Sequence, residues 1–366
     1  MKNVRNTGID FLRIVAMFFV VVLHTNNYGG FLFNTSIDSI QYKLGWLIEI
    51  VSLCAVDVFA IISGYVMWNK KTNFPKLLNL WFQVVFYSLT ITVITNFMYP
   101  EIITKSDYIK CFFPIINNTY WYFTAYFGLF LIKPFIDTAI QNMNEEKLKK
   151  LFILNVVVFS IIGLVAKGFV LNKGYSIIWL IVLYIIGAII SKCKIGSKIG
   201  GIKIFLGIII LILITYLVKI FGSETINIIK NNFDIIINKD ILTSYISPTI
   251  FGISILLIVG TQKIRFNKLS KKIIEFAAAS SFAIYLLNSH YLFTTYIYKG
   301  KFTYLTSSGV LTIVKDILLF SLLFVIVSIL IDKIRIFIFK FLRINELCEL
   351  TYSKAEKIVS KIAKIM

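Results

Sequence analysis

Apolar residues run along this chain in blocks long enough to cross a bilayer, with polar residues gathered between them. A helix needs about 20 apolar residues to span a hydrocarbon core of ~30 Å. Ten such runs can be drawn, at roughly 9–25, 45–67, 77–99, 120–139, 151–170, 175–191, 204–222, 241–260, 274–298 and 310–331. The pattern predicts an all-α integral membrane protein of about ten transmembrane helices, with residues 1–331 as its membrane domain. From Asp332 onward, basic and apolar residues interleave, which predicts a basic amphipathic helix lying on an anionic membrane surface, a tail of residues 332–366. The first run is as long as a span and no small-residue cleavage site follows it, so it is expected to stay in the protein.

Composition supports a membrane solvent: 58% of the 366 residues are hydrophobic and 33 are phenylalanine, more apolar surface than a soluble domain can hide. The net charge of +20 would point to nucleic acid in a soluble chain, but in a membrane its distribution matters more than its sum. With the N-terminus inside, 25 of the 38 Lys and Arg fall in inner segments, eight in outer loops and five within spans. That bias places both termini in the cytoplasm and accounts for most of the charge through membrane topology, without nucleic acid. The four cysteines (Cys54, Cys111, Cys193, Cys348) have neither metal-ligand nor redox spacing, so no metal is expected. Abundant Ile, Lys and Asn suggest an AT-rich bacterial genome and hence the bacterial cytoplasmic membrane.

Charged groups within spans are costly and usually face the protein interior. The first run carries Asp10, Arg13 and His24. At about 100° per residue, the eleven steps from Arg13 to His24 make three turns plus about 20°, so both lie on one face, roughly 16 Å apart. Asp10, three residues before Arg13, is placed to pair with it. Two readings stand: an interfacial anchor followed by a loop histidine, or a functional pair. In the second run, Asp57 needs a cationic or hydrogen-bonding partner, while Ser63 and Gly64, just before Tyr65, permit close helix packing. Lys70, Lys71 and Lys76 follow, as topology determinants or as a phosphate site. The fourth run opens with Trp121 and Tyr122, belt residues or a surface on which a sugar stacks. Lys133 and Pro134 mark a kink or an exit there. The ninth run sets Ser281, Tyr285, Asn288 and Ser289 on one polar stripe, with His290 off it toward the outer end.

Taken together, the Arg13-to-His24 spacing, Val56-Asp57-Val58-Phe59 with Ser63-Gly64-Tyr65, Trp121-Tyr122-Phe123 with Pro134, and Ser281 through Leu286 resemble the acyltransferase family 3 membrane proteins, over residues 7 to about 331. The resemblance implies an O-acyltransferase that moves an acyl group, most often acetyl from acetyl-CoA, onto a hydroxyl of a surface polysaccharide or lipid-linked saccharide. It matches Arg13 and His24 to the family's functional arginine and histidine. Two departures stand out. An arginine pair often found after the second span is reduced here to Lys76 within Phe74 to Asn79, and the histidine that often follows the ninth-span Ile-Tyr-Leu run is replaced by Asn288, with His290 two residues on. The expected division of labour is His24 as general base on the acceptor, with Arg13, held by Asp10, and Lys70, Lys71 and Lys76 orienting the CoA donor. Asp57, Ser63, Tyr65, Trp121, Tyr122, Ser281, Tyr285, Asn288 and His290 are expected to contact substrate. A proton-coupled transporter or flippase of a glycolipid precursor is the alternative, and a non-catalytic glycolipid or antibiotic sensor a third reading.

Overall fold

The computed structural model describes residues 5–222 and 239–363; they are all-helical, at 77% helix, with no strand among them. Lys2, Lys364 and most of the 223–240 loop lie outside the described residues. The helices are α1 (Thr7–Asn27), α2 (Ile40–Leu53), α3 (Ala55–Met67), α4 (Phe74–Met98), α5 (Lys105–Cys111), α6 (Trp121–Asn142), α7 (Glu145–Asn155), α8 (Ile177–Cys193), α9 (Gly201–Phe221), α10 (Pro248–Thr261), α11 (Lys268–Ala278), α12 (Ser281–Ser289), α13 (Val310–Phe341) and α14 (Ile344–Ala363).

Local chemistry explains where several of them start. Asn6 caps α1 by accepting from the Gly8 and Ile9 N–H groups, and Asn73 caps α4, whose first turn also takes Pro75. Six helical stretches among the described residues are long and apolar enough to cross a membrane: Thr7–Asn34, Ile40–Met67, Phe74–Met98, Trp121–Asn142, Gly201–Phe221 and Val310–Phe341. Two more apolar helices, Ile177–Cys193 and Pro248–Thr261, are shorter. The runs at 151–170 and 274–298 are interrupted: α7 passes into a π-helical turn at Val156–Ile162, and α11, α12 and a second π turn at Phe293–Tyr298 share the other. Apolar side chains left exposed on α9 and α13, such as Phe205, Leu206, Leu319 and Leu322, suit a lipid surround.

The second span is also broken, between α2 and α3 at Cys54. No proline or glycine causes the break. The Cys54 carbonyl accepts from the Ser254 hydroxyl of α10 at 3.3 Å as well as from the Val58 N–H, so a distant helix supplies a partner at the discontinuity. Farther along, toward its C-terminal end, α3 packs on α8 backbone to backbone. A Cβ added at Gly64 would lie 1.9 Å from the Tyr184 carbonyl oxygen, and one at Gly187 would lie 2.0 Å from that of Ile61.

The last span does not stop at residue 331. α13 continues unbroken to Phe341, because Asp332 accepts from Arg335 and from the Tyr87 hydroxyl at 2.7 Å, which neutralises both charges inside the bundle. Arg343 then turns through a left-handed conformation (φ 51°) into α14. α14 packs on α4, with Asn79 donating to Asn345 at 2.8 Å and Phe74 stacked on Tyr352. Cytoplasmic-expected lysines close other helix ends: Lys192 donates to the Ile140, Gln141 and Met143 carbonyls at the end of α6, and Lys263 to those of Gly196 and Ile199.

Candidate active site

α1 runs through the centre of the bundle and carries chemistry at both ends. At its N-terminal end Asp10 sits between two guanidinium groups, accepting from Arg5 Nε at 2.5 Å and Arg13 Nη1 at 3.3 Å. A cavity of about 400 Å³ opens there, lined by Arg5, Asp10, Arg13, Tyr65 and Lys70. Tyr65 is held across it by Gln262, to which its hydroxyl donates at 2.8 Å. A neighbouring cavity of about 640 Å³ shares Lys70 and adds Lys71, Lys76, Tyr126 and, from α14, Asn345 and Glu349. The three lysines named from the sequence thus fall on one cavity, and the tail helix forms part of its wall.

The loop that carries Lys70 and Lys71 is pinned by a residue expected to mark a kink or an exit. Lys133 is 2% exposed and donates to the Lys70 carbonyl at 2.9 Å and to Asp137 at 2.5 Å; Asp137 also accepts from the Tyr184 hydroxyl at 2.7 Å. A buried ion pair with its remaining lone pairs satisfied is a positional device more than a source of stability. Lys133 and Asp137 are four residues apart, so helical spacing alone was a usable signal for this pair.

Above Arg13 the path toward His24 is aromatic. Tyr126 and Tyr122, one turn apart on α6, lie within electrostatic reach of the Arg13 guanidinium. Tyr122 also senses Asp57, and its ring is edge-on to Phe59 at 5.7 Å. Beyond it lies a cavity of about 110 Å³, whose walls include His24, Tyr28, Phe59, Trp121, Tyr122, Tyr175, Tyr245 and Tyr285. Trp121 packs 4.6 Å from Tyr175 and parallel to Tyr245, and Tyr175 donates to the Tyr245 hydroxyl. The Tyr285 hydroxyl accepts from the Tyr122 N–H, tying α12 to the start of α6.

His24 is half-buried at this cavity, edge-on to Tyr28 at 5.0 Å. It interacts with Asn288 of α12, but the contact falls outside hydrogen-bond geometry for Nδ1 and for the Asn288 amide. Nδ1 is buried, so Nε2 is the nitrogen left to take a proton from a hydroxyl brought into the cavity. One turn on, Asn26 and Asn27 each donate to Glu49 at 2.8 Å, which anchors the end of α1 to α2.

The remaining expected residues separate. Asp57 is fully buried in the first turn of α3, and its partner is the Trp179 indole N–H at 2.9 Å, not a cation. A carboxylate at a helix N-terminus is favoured by the aligned peptide dipoles, which offsets part of that burial. Ser63 donates to the Phe59 carbonyl of its own helix and Ser281 to that of Ala278, and neither lines the His24 cavity. Tyr65 belongs to the Arg13 end. His290 faces a different cavity. Tyr175, Tyr245 and Trp179 were missed in the sequence because they come from loops or a helix more than 100 residues away, whereas Tyr28, four residues after His24 at the cap of α1, was also missed although helical spacing could have found it.

A family model described as an acyltransferase domain (Acyl_transf_3) matches residues 6–332, from the cap of α1 into α13. No curated protein and no solved structure matches the chain.

Proposed function

Since this chain belongs to the acyltransferase 3 family, we propose that it transfers an acyl group, acetyl in the first instance, from a cytosolic acyl-CoA to a hydroxyl of a surface or lipid-linked glycan at the bacterial cytoplasmic membrane. The observation that carries this reading is the order of chambers along one helix. Two cation-lined cavities meet near Arg13, and a small aromatic cavity holds His24, with Tyr126 and Tyr122 between them.

In this reading Lys70, Lys71 and Lys76 attract the donor's phosphates as point charges, and Arg13, oriented by Asp10, holds its phosphate or pantetheine portion. The thioester arm crosses the roughly 16 Å between Arg13 and His24 given by helix rise. At the far end, His24 takes the proton from the acceptor hydroxyl as that oxygen attacks the thioester carbonyl. The tetrahedral intermediate then expels the CoA thiolate, which takes back the proton held by His24 and leaves as the thiol. Trp121, Tyr175 and Tyr245 offer ring faces to the C–H faces of the sugar and hydroxyls to its polar edges.

The test is incubation of membranes containing the protein with labelled acetyl-CoA and envelope glycan. Label in the glycan that disappears with His24→Ala supports the proposal; unchanged labelling in that variant overturns the assignment of His24. The broken α2–α3 span, with Asp57 in the first turn of its second half, keeps one other reading alive, since discontinuous helices with an acidic group at the break are found in transporters. Glycolipid translocation without labelled glycan would favour it.

A further inference from the structure

A cavity of about 340 Å³ shares a wall with the His24 chamber but is separate from it. The partition is Tyr120, whose ring is 5.6 Å from His290 on one side and 5.8 Å from Tyr285 on the other, and whose hydroxyl donates to the Leu286 carbonyl at 3.0 Å. Thr119 lines the second cavity and Trp121, two residues on, lines the first.

His290 follows the last residue of α12 and is 1% exposed. The Leu292 N–H donates to its Nδ1 at 3.3 Å. A ring nitrogen that accepts cannot carry a hydrogen, so the imidazole is neutral and its N–H is at Nε2. No described residue bonds Nε2, and the ring lines the cavity, so a fixed donor points into it. The side chains of Asn117, Asn118 and Thr119 add amide and hydroxyl groups on the rim. Asp107 and Lys110, at the edge, pair with each other at 3.2 Å, and Asp107 is further engaged by Thr104 and Tyr291, so the two charges of the lining offset each other and the cavity offers a ligand no net charge. Tyr291 stacks on His290 at 5.0 Å and is partly exposed, a ring face of the kind that covers sugar C–H groups. Neutral donors, neutral acceptors and one aromatic face suit an uncharged polyhydroxyl unit. The volume lies near the lower end of the usual 300–1,000 Å³ for small-molecule sites, enough for about one sugar and not a chain.

We propose that the His290 cavity is a second saccharide subsite, which holds an uncharged sugar unit of the acceptor next to the unit that reacts at His24. The inference rests on the acyl-transfer reading above and adds that the acceptor is an oligosaccharide lying across Thr119 to Trp121.

The experiment uses fragments of one to six sugar units released from the host strain's envelope polysaccharide, with the full-length protein in lipid nanodiscs. The wild type is expected to favour four-unit over one-unit fragments. His290→Phe is expected to raise KM for four-unit fragments about tenfold, the worth of one lost neutral hydrogen bond, and to abolish that preference. His290→Gln, which keeps an N–H donor near Nε2, is expected to recover most of it. Asn117→Trp fills the cavity from an exposed loop position and so tests the site without disturbing the core. Equal effects on one-unit and four-unit fragments in His290→Phe and Asn117→Trp, or a glutamine variant as impaired as the phenylalanine one, overturn the proposal. If the wild type acylates no fragment, the acyl-transfer reading fails. Direct binding of four-unit fragments, weakened by Asn117→Trp or indifferent to it, then decides the subsite alone.

Discussion

Around Arg13 the protein is wide and charged: cavities of about 400 and 640 Å³, two guanidinium groups on one carboxylate, and lysines on a loop and on the first turn of α4. Around His24 it is narrow and aromatic: a cavity of about 110 Å³ with tyrosines on several sides and an imidazole half-buried among them. The same helix serves both ends, so the contrast comes from what packs against it. A wide, charged chamber spreads binding over several weak, salt-screened contacts, so no single one dominates. A narrow one walled by aromatic rings concentrates chemistry on a single group, because electrostatic effects strengthen as surrounding water is reduced.

The contrast fixes an order of effects. His24→Ala is expected to lower the rate of glycan acylation by about 10²–10⁴-fold with unchanged membrane insertion, the usual worth of a positioned general base; radiolabel transfer measures it. A loss below tenfold would erase the distinction between the two ends. Arg13→Lys keeps the charge but loses the planar fork, so donor KM is expected to rise about tenfold with kcat changed less. A fall in kcat alone would move Arg13 to the chemical end. Trp179→Phe leaves the Asp57 carboxylate buried without its indole donor and is expected to cost about 1–3 kcal/mol of stability, read as a lower thermal midpoint in detergent. Adding Asp57→Asn to that variant should restore part of the loss, which separates a structural Asp57 from a proton carrier. Smallest of all, Lys70→Ala, Lys71→Ala and Lys76→Ala are each expected to raise donor KM about twofold, an effect that fades as salt rises. A single lysine with a tenfold, salt-insensitive effect would show that the wide chamber has one dominant contact after all.

Local regularities in the sequence reached some of this and not the rest. The stripe that joins Asp10, Arg13 and His24 depends only on helical rotation, and α1 keeps it over its whole length. The lysines at 70, 71 and 76 were grouped by proximity in the chain, and the structure puts them on one cavity. The break at Cys54 was not legible, because its extra hydrogen-bond partner is Ser254, 200 residues later, and no helix-breaking residue announces it. Asp57 was flagged as needing a partner, but the identity of Trp179, 122 residues away, belongs to packing and not to spacing. The polar stripe on the ninth run, Ser281, Tyr285, Asn288 and Ser289, lies within the unbroken α12. Tyr285 and Asn288 face the His24 chamber, while Ser281, at the first turn, bonds back to the Ala278 carbonyl, and His290, off the stripe and past the end of α12, lines another cavity.

The glycine contacts between α3 and α8 bear on delivery. With the two backbones touching where Gly64 meets Tyr184 and Gly187 meets Ile61, no acyl chain of a lipid fits between them, and the seam beside Tyr65, at the Arg13 end of α1, is closed to the bilayer. Lipid tails cannot enter the wide, charged chamber through that seam, so two missing side chains help keep it clear of the membrane.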